Sequence, residues 1–141
     1  MKYAKRMLAL MLTMLPVLAV AQLQDTNQIV AQVPFKFMVG DKMLPAGECV
    51  IARASADGKT VAIRNWSASA NLFSSVSPVE TKNMTQGYAL VFHKYGDRYF
   101  LTGLELRGSR TLYRLPETRA EGEMRAQNIP VSEETLTASL K

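Results

Sequence analysis

His93 is the only histidine in a chain of 141 residues, and Cys49 is the only cysteine. The side chains best suited to proton transfer, thiolate attack and metal binding therefore occur once each. A histidine acting as a general base needs a positioned partner, and a zinc site normally takes about four N, S or O ligands. With no second histidine and no cysteine pair, neither a metal nor a cofactor site is expected. Asp97, close to His93 in sequence, is better explained by the Gly96-Asp97 turn, whose backbone geometry Asp tolerates. Ser74, Ser75 and Ser77 have no adjacent base. No G-x-S-x-G nucleophile elbow and no phosphate-cradling glycine loop occurs. Glu48, Asp57, Glu80 and Glu105 could supply the carboxylate pair of a glycosidase only if folding brought two of them together. Each reads as a solvated strand-face or turn residue, since acids are rarely fully buried. No catalytic residue is expected from this set.

Four residues stand out as binding candidates: Trp66, His93, Arg110 and Arg114. Trp66 lies in the Asn65-Trp66-Ser67 turn, where it is either an exposed contact or a lid on the core. Arg107, Arg110, Arg114 and Arg119 are interleaved with Glu105, Glu117, Glu121 and Glu123. That mixture of signs points to a salt-bridged, solvated surface rather than an anion patch. His93 is expected to pack beside Phe100, as a core or interface histidine.

The elements that must position these residues begin after a distinct N-terminus. Lys2, Lys5 and Arg6 are followed by an apolar stretch from Met7 to Leu18 and by the small-residue end Ala19-Val20-Ala21. This is the pattern of a secretory signal peptide over residues 1–21. The apolar run is too short for the roughly 20 residues of a stable membrane span. The formal charge of +5 falls to +2 once the signal's three basic residues and no acids are removed. Nucleic acid is accordingly not an expected partner. Residues 22–28 read as a loose leader. Cys49 lies in the apolar run Glu48-Cys49-Val50-Ile51 and is expected to be buried, so stability must come from packing rather than from an intrachain disulfide.

From Ile29 onward the pattern is that of short strands. Val33, Phe35 and Phe37 alternate with Pro34, Lys36 and Met38, the period of a sheet, with Pro34 demanding an edge or a bulge. Turns are expected at Gly40-Asp41, at Leu44-Pro45-Ala46-Gly47 and at Asp57-Gly58. Strands are expected over 48–54, 60–65, 71–76 and 111–115, with Pro78 stopping the third. The clearest unit is a hairpin, 88–95 and 98–106, joined by Gly96-Asp97. Its two-residue loop pairs Tyr95 with Arg98, His93 with Phe100 and Phe92 with Leu101. Leu90, Phe92, Tyr99 and Leu101 then share one face, and Ala89, Val91, His93, Phe100 and Leu104 the other. Residues 116–127 read as a short helix with Pro116 at its first turn and a Glu121–Arg125 pair. Residues 128–141 read as a flexible tail. The expected architecture is all-β over 29–115, a single sandwich or partly closed barrel of about seven short strands, with a short C-terminal helix.

Two blocks of this sequence resemble a group of small exported bacterial proteins. One is Val33-Pro34-Phe35-Lys36-Phe37-Met38-Val39-Gly40-Asp41-Lys42-Met43-Leu44-Pro45-Ala46-Gly47-Glu48. The other is Leu90-Val91-Phe92-His93-Lys94-Tyr95-Gly96-Asp97-Arg98-Tyr99-Phe100-Leu101. The resemblance implies export and a β-rich fold but no activity. The position of Cys49 is typically aromatic in that group, which argues against an essential thiol.

Together these readings lead to the expectation of a non-enzymatic exported module, periplasmic or extracellular. It would bind or associate with a cell-envelope component or another protein, with no transmembrane span in the mature chain. Two alternatives follow from particular residues. The two apolar hairpin faces suit a β-barrel pocket for a small ligand, and His93 with an acid would suit a hydrolase.

Overall fold

A computed structural model describes residues 28–141. The signal peptide expected over 1–21, and the leader apart from Gln28, lie outside the described residues. The described chain is mostly strand, with one short helix, and its sheet is a nearly closed barrel. In chain order the elements are β1 (Gln28–Val33), β2 (Phe37–Val39), β3 (Lys42–Leu44), β4 (Gly47–Arg53), β5 (Thr60–Asn65), β6 (Ala70–Ser75), β7 (Ser77–Glu80), β8 (Tyr88–Tyr95), β9 (Arg98–Glu105), β10 (Thr111–Arg114), α1 (Arg119–Ala126) and β11 (Val131–Leu140).

Eleven strands replace the seven or so expected. Pro34 does not bulge one strand but divides two: β1 pairs antiparallel with β4, whereas β2 pairs with β3 and, in parallel, with β9. Pro78 does not stop the chain either. It lies inside β7, opposite Tyr113 of β10, on a strand whose only partner among the described residues is β10, where a missing donor is tolerated. Residues 128–141 are not a flexible tail, because β11 pairs with β8 from Val131↔Tyr95 to Ala138↔Tyr88 and with β1 at Ile29↔Leu140.

The neighbours run β9–β8–β11–β1–β4–β5–β6. From there the chain passes through the buried Val76 into β7, which pairs with β10, which in turn pairs with β9. One continuous stretch, β6 to β7, thus carries the sheet round to its starting strand.

The β8–β9 hairpin has the expected loop register: Tyr95↔Arg98, His93↔Phe100 and Phe92↔Leu101. Beyond Phe92 the register shifts by one, Val91 facing Gly103 and Leu90 facing Leu104. This bulge moves Leu104 from the face of Ala89 and Val91, where strict alternation puts it, to the interior face of Leu90 and Phe92. The interior cluster includes Val33, Phe37, Ile63, Leu90, Phe92, Leu101 and Leu104. At the end of the barrel nearest the β8–β9 turn it is filled by rings. Phe35 stacks on Tyr99 with centroids 3.6 Å apart, and Phe92 receives the edges of Phe35 at 5.1 Å and Phe37 at 5.3 Å.

Candidate functional site

The opposite end of the barrel is hollow. A recess of about 370 Å³ is lined by Ile29 of β1, Ile51 of β4, Val61 of β5, Val76 at the β6–β7 joint, Tyr113 of β10, Leu104 of β9, Tyr88 of β8 and Leu140 of β11. Seven strands of the circuit and the joint between β6 and β7 contribute these side chains. Ile29, Ile51, Val61, Val76 and Leu104 are buried and form the floor; Leu140 is half exposed at the rim. The buried floor here is aliphatic, with Tyr88 and Tyr113 beside it, whereas the other end is packed with aromatic rings, so the same sheet is solid at one end and open at the other.

Charge is confined to the rim of this recess. Arg53 ends β4, Asp57 and Gly58 lie in the β4–β5 connection, and Arg107 follows β9. The Asp57 carboxylate is already engaged: it accepts from the Ser55 hydroxyl at 2.6 Å and from the Lys59 amide at 3.0 Å. Those two bonds, the hydroxyl first, hold it below the usual carboxylate range. Among the described residues the salt bridges are His93–Glu121, Arg119–Glu123 and Arg125–Glu117. Arg53 and Arg107 take part in none of them.

His93 lies elsewhere, on the outer face of β8, and does have a carboxylate partner. Its Nδ1 lies 2.6 Å from Oε1 of Glu121, and the Tyr95 hydroxyl donates to the same oxygen at 3.1 Å. Glu121 is 5% exposed, which makes it the one buried acid of the described chain. It comes from α1, whose N-cap Thr118 accepts from the Glu121 amide at 3.0 Å. The helix ends with Asn128 in the left-handed region, where Asn128 donates to the Arg125 carbonyl and Ile129 to that of Met124, the Schellman arrangement. Both caps therefore fix a short helix that delivers one carboxylate to the barrel wall. The expected Glu121–Arg125 pair does not form, because Glu121 turns inward and Arg125 reaches Glu117 at 2.8 Å instead. Burial, followed by the nearby Glu121 charge and its hydrogen bond, pushes the Tyr95 hydroxyl above its ordinary range. It remains a donor.

The other candidates are scattered. Trp66 is 64% exposed in the loop between β5 and β6 and so is not a lid on the core. That loop is anchored by the buried Asn65, whose amide donates to the Pro45 carbonyl and accepts from the Ala68 amide. Arg110 and Arg114 flank and end β10 and are exposed, and neither borders the recess. Arg107 does. Cys49 is fully buried in the interior cluster, and burial pushes its thiol up to about 12, so no thiolate is available near neutrality. No group of three or more metal-ligating side chains occurs among the described residues. No helix among them is long and apolar enough to cross a membrane.

Sequence reasoning placed His93 on an apolar face and missed its partner. The signal was present in Thr118-Arg119-Ala120-Glu121, the spacing of a capping box. That motif locates the helix start and so shows that Glu121 lies in the first turn. The rim arginines had no such signal, because only the closure of the sheet brings Arg53 and Arg107 to one mouth. Comparison with protein-family models, curated proteins and solved structures gives no match.

Proposed function

We propose that the protein is an exported, non-enzymatic binding module whose small, largely apolar ligand occupies the open end of the barrel. The observation that carries this reading is the composition of the recess, which apolar side chains of seven strands and Val76 of the β6–β7 joint line together. A ligand site is typically a concave apolar cavity of about 300–1,000 Å³ with a few polar groups at fixed places, and this recess is at the small end of that range. Export is supported by the three zones of residues 1–21. Absence of catalysis is supported by the use of the His93 Nδ1 in holding α1, and by the buried, protonated state of Cys49.

The test has two arms. Protein recovered from the exported fraction is expected to begin at Gln22 by N-terminal mass analysis; retention of residues 1–21 would refute cleavage. Purified protein is expected to take up an apolar fluorescent probe, and Leu104→Trp, which fills the floor of the recess, is expected to abolish that uptake with the circular-dichroism spectrum retained. Unchanged uptake by a folded Leu104→Trp variant would refute the reading.

One further observation favours a second reading, contact with an envelope component or another protein. Trp66 and Phe73 are exposed at 64% and 65% on the β5–β6 hairpin, and among the described residues β6 has β5 as its only pairing partner. An unpaired edge bearing exposed aromatics is a common recognition surface. Loss of envelope retention in the Trp66→Ala/Phe73→Ala double variant, with probe uptake intact, would select it.

A further inference from the structure

We propose that the ligand of this recess is a single-chain amphiphile with an anionic headgroup, its chain within the barrel end and its headgroup between Arg53 and Arg107. The inference rests on the reading of the recess as the binding site and adds the chemical class of what enters it.

The lining changes character with depth. The floor is aliphatic: Ile29, Ile51, Val61, Val76 and Leu104, all buried. A ligand group needing hydrogen bonds would lose them there without replacement, so the buried part of the ligand is hydrocarbon. At the rim the chemistry reverses. Two guanidinium groups and one carboxylate border the opening. The carboxylate is spent on Ser55 and Lys59, whereas neither guanidinium has an ion-pair partner among the described residues. Guanidinium binds carboxylate and phosphate through paired, charge-assisted hydrogen bonds, and apolar walls beside it strengthen that attraction relative to open water. The excess of positive charge at the mouth therefore selects an anion, and the floor selects the chain attached to it. The volume of about 370 Å³ limits the occupant to one medium-length chain and is too small for a two-chain lipid.

Titration calorimetry of the purified protein with decanoate, decyl phosphate, decanol and inorganic phosphate tests this. Decanoate and decyl phosphate are expected to bind, the tighter of the two naming the headgroup, with decanol about tenfold weaker and inorganic phosphate weaker still. The double variant Arg53→Gln/Arg107→Gln is expected to bring decanoate down to the affinity of decanol while leaving decanol unchanged. Both arginines are exposed, so the retained decanol affinity also reports that the barrel is intact. If decanol binds the unaltered protein as tightly as decanoate, or if the double variant keeps the preference for the anion, the headgroup inference is overturned and the apolar site stands. Inorganic phosphate binding as tightly as decyl phosphate would also overturn it, since the anion would then be held without the barrel. If none of the chain-bearing compounds binds, the recess is not the site and both readings fall.

Discussion

At the scale of single residues, Glu121 carries the most consequence. One oxygen of the buried Glu121 side chain meets the His93 Nδ1 and the Tyr95 hydroxyl of β8, so removing it leaves the buried Tyr95 hydroxyl without its partner. Glu121→Ala is expected to destabilise the protein by about 1–3 kcal/mol, read as a lowered urea midpoint. His93→Ala should cost less, because its ring is half exposed and water can replace it. The same cluster gives a sign to the alkaline limb of stability. A tyrosine whose folded pKa is raised above its unfolded value of about 10 keeps its proton longer in the native state. Its contribution is complete below pH 10 and is lost as pH rises from there through the folded value. Tyr95→Phe is expected to flatten that decline in pH-dependent denaturation. Cys49 offers a simpler check. With the thiol buried and its pKa pushed up to about 12, an aromatic disulfide reagent should label it only in denaturant.

At the scale of elements, β11 connects what would otherwise be two open edges, those of β8 and β1. A chain stopped at Pro130 is expected to lose the cooperative urea transition and to bind apolar dyes, since both edges and the interior become exposed. This strand was the least legible element in the sequence. Leu136, Ala138 and Leu140 do alternate, yet the first half, Val131-Ser132-Glu133-Glu134-Thr135, offers almost nothing to a core and is exposed in the fold. Its place is set by main-chain pairing with β8, and that of the strand's end by pairing with β1, which composition does not report. The β8–β9 hairpin was legible because a two-residue Gly96-Asp97 loop leaves one register. Even there, nothing local announced the bulge that turns Leu104 inward. Helix α1 could be located by its Pro116 and its charge, but the direction of Glu121 depended on a donor pair in a distant strand. The recess was invisible for the same reason: its lining residues come from eight strands or joints and meet only when the sheet curls.

For the molecule as a whole, the fold divides one barrel into a ring-packed end and an open one with an aliphatic floor. A ligand that binds the folded barrel alone should raise the melting temperature with concentration, worth about 2.7 kcal/mol at a hundred times its dissociation constant. Melting that does not respond to a bound amphiphile would show that the compound binds the unfolded chain as well. The position of β11 has a further bearing on how the molecule is made. This strand joins β1 to β8 only after every other strand has been synthesised, and its partner Ile29 lies at the far end of the described chain. Such distant pairing is slow, and no shorter nascent chain can complete the ring.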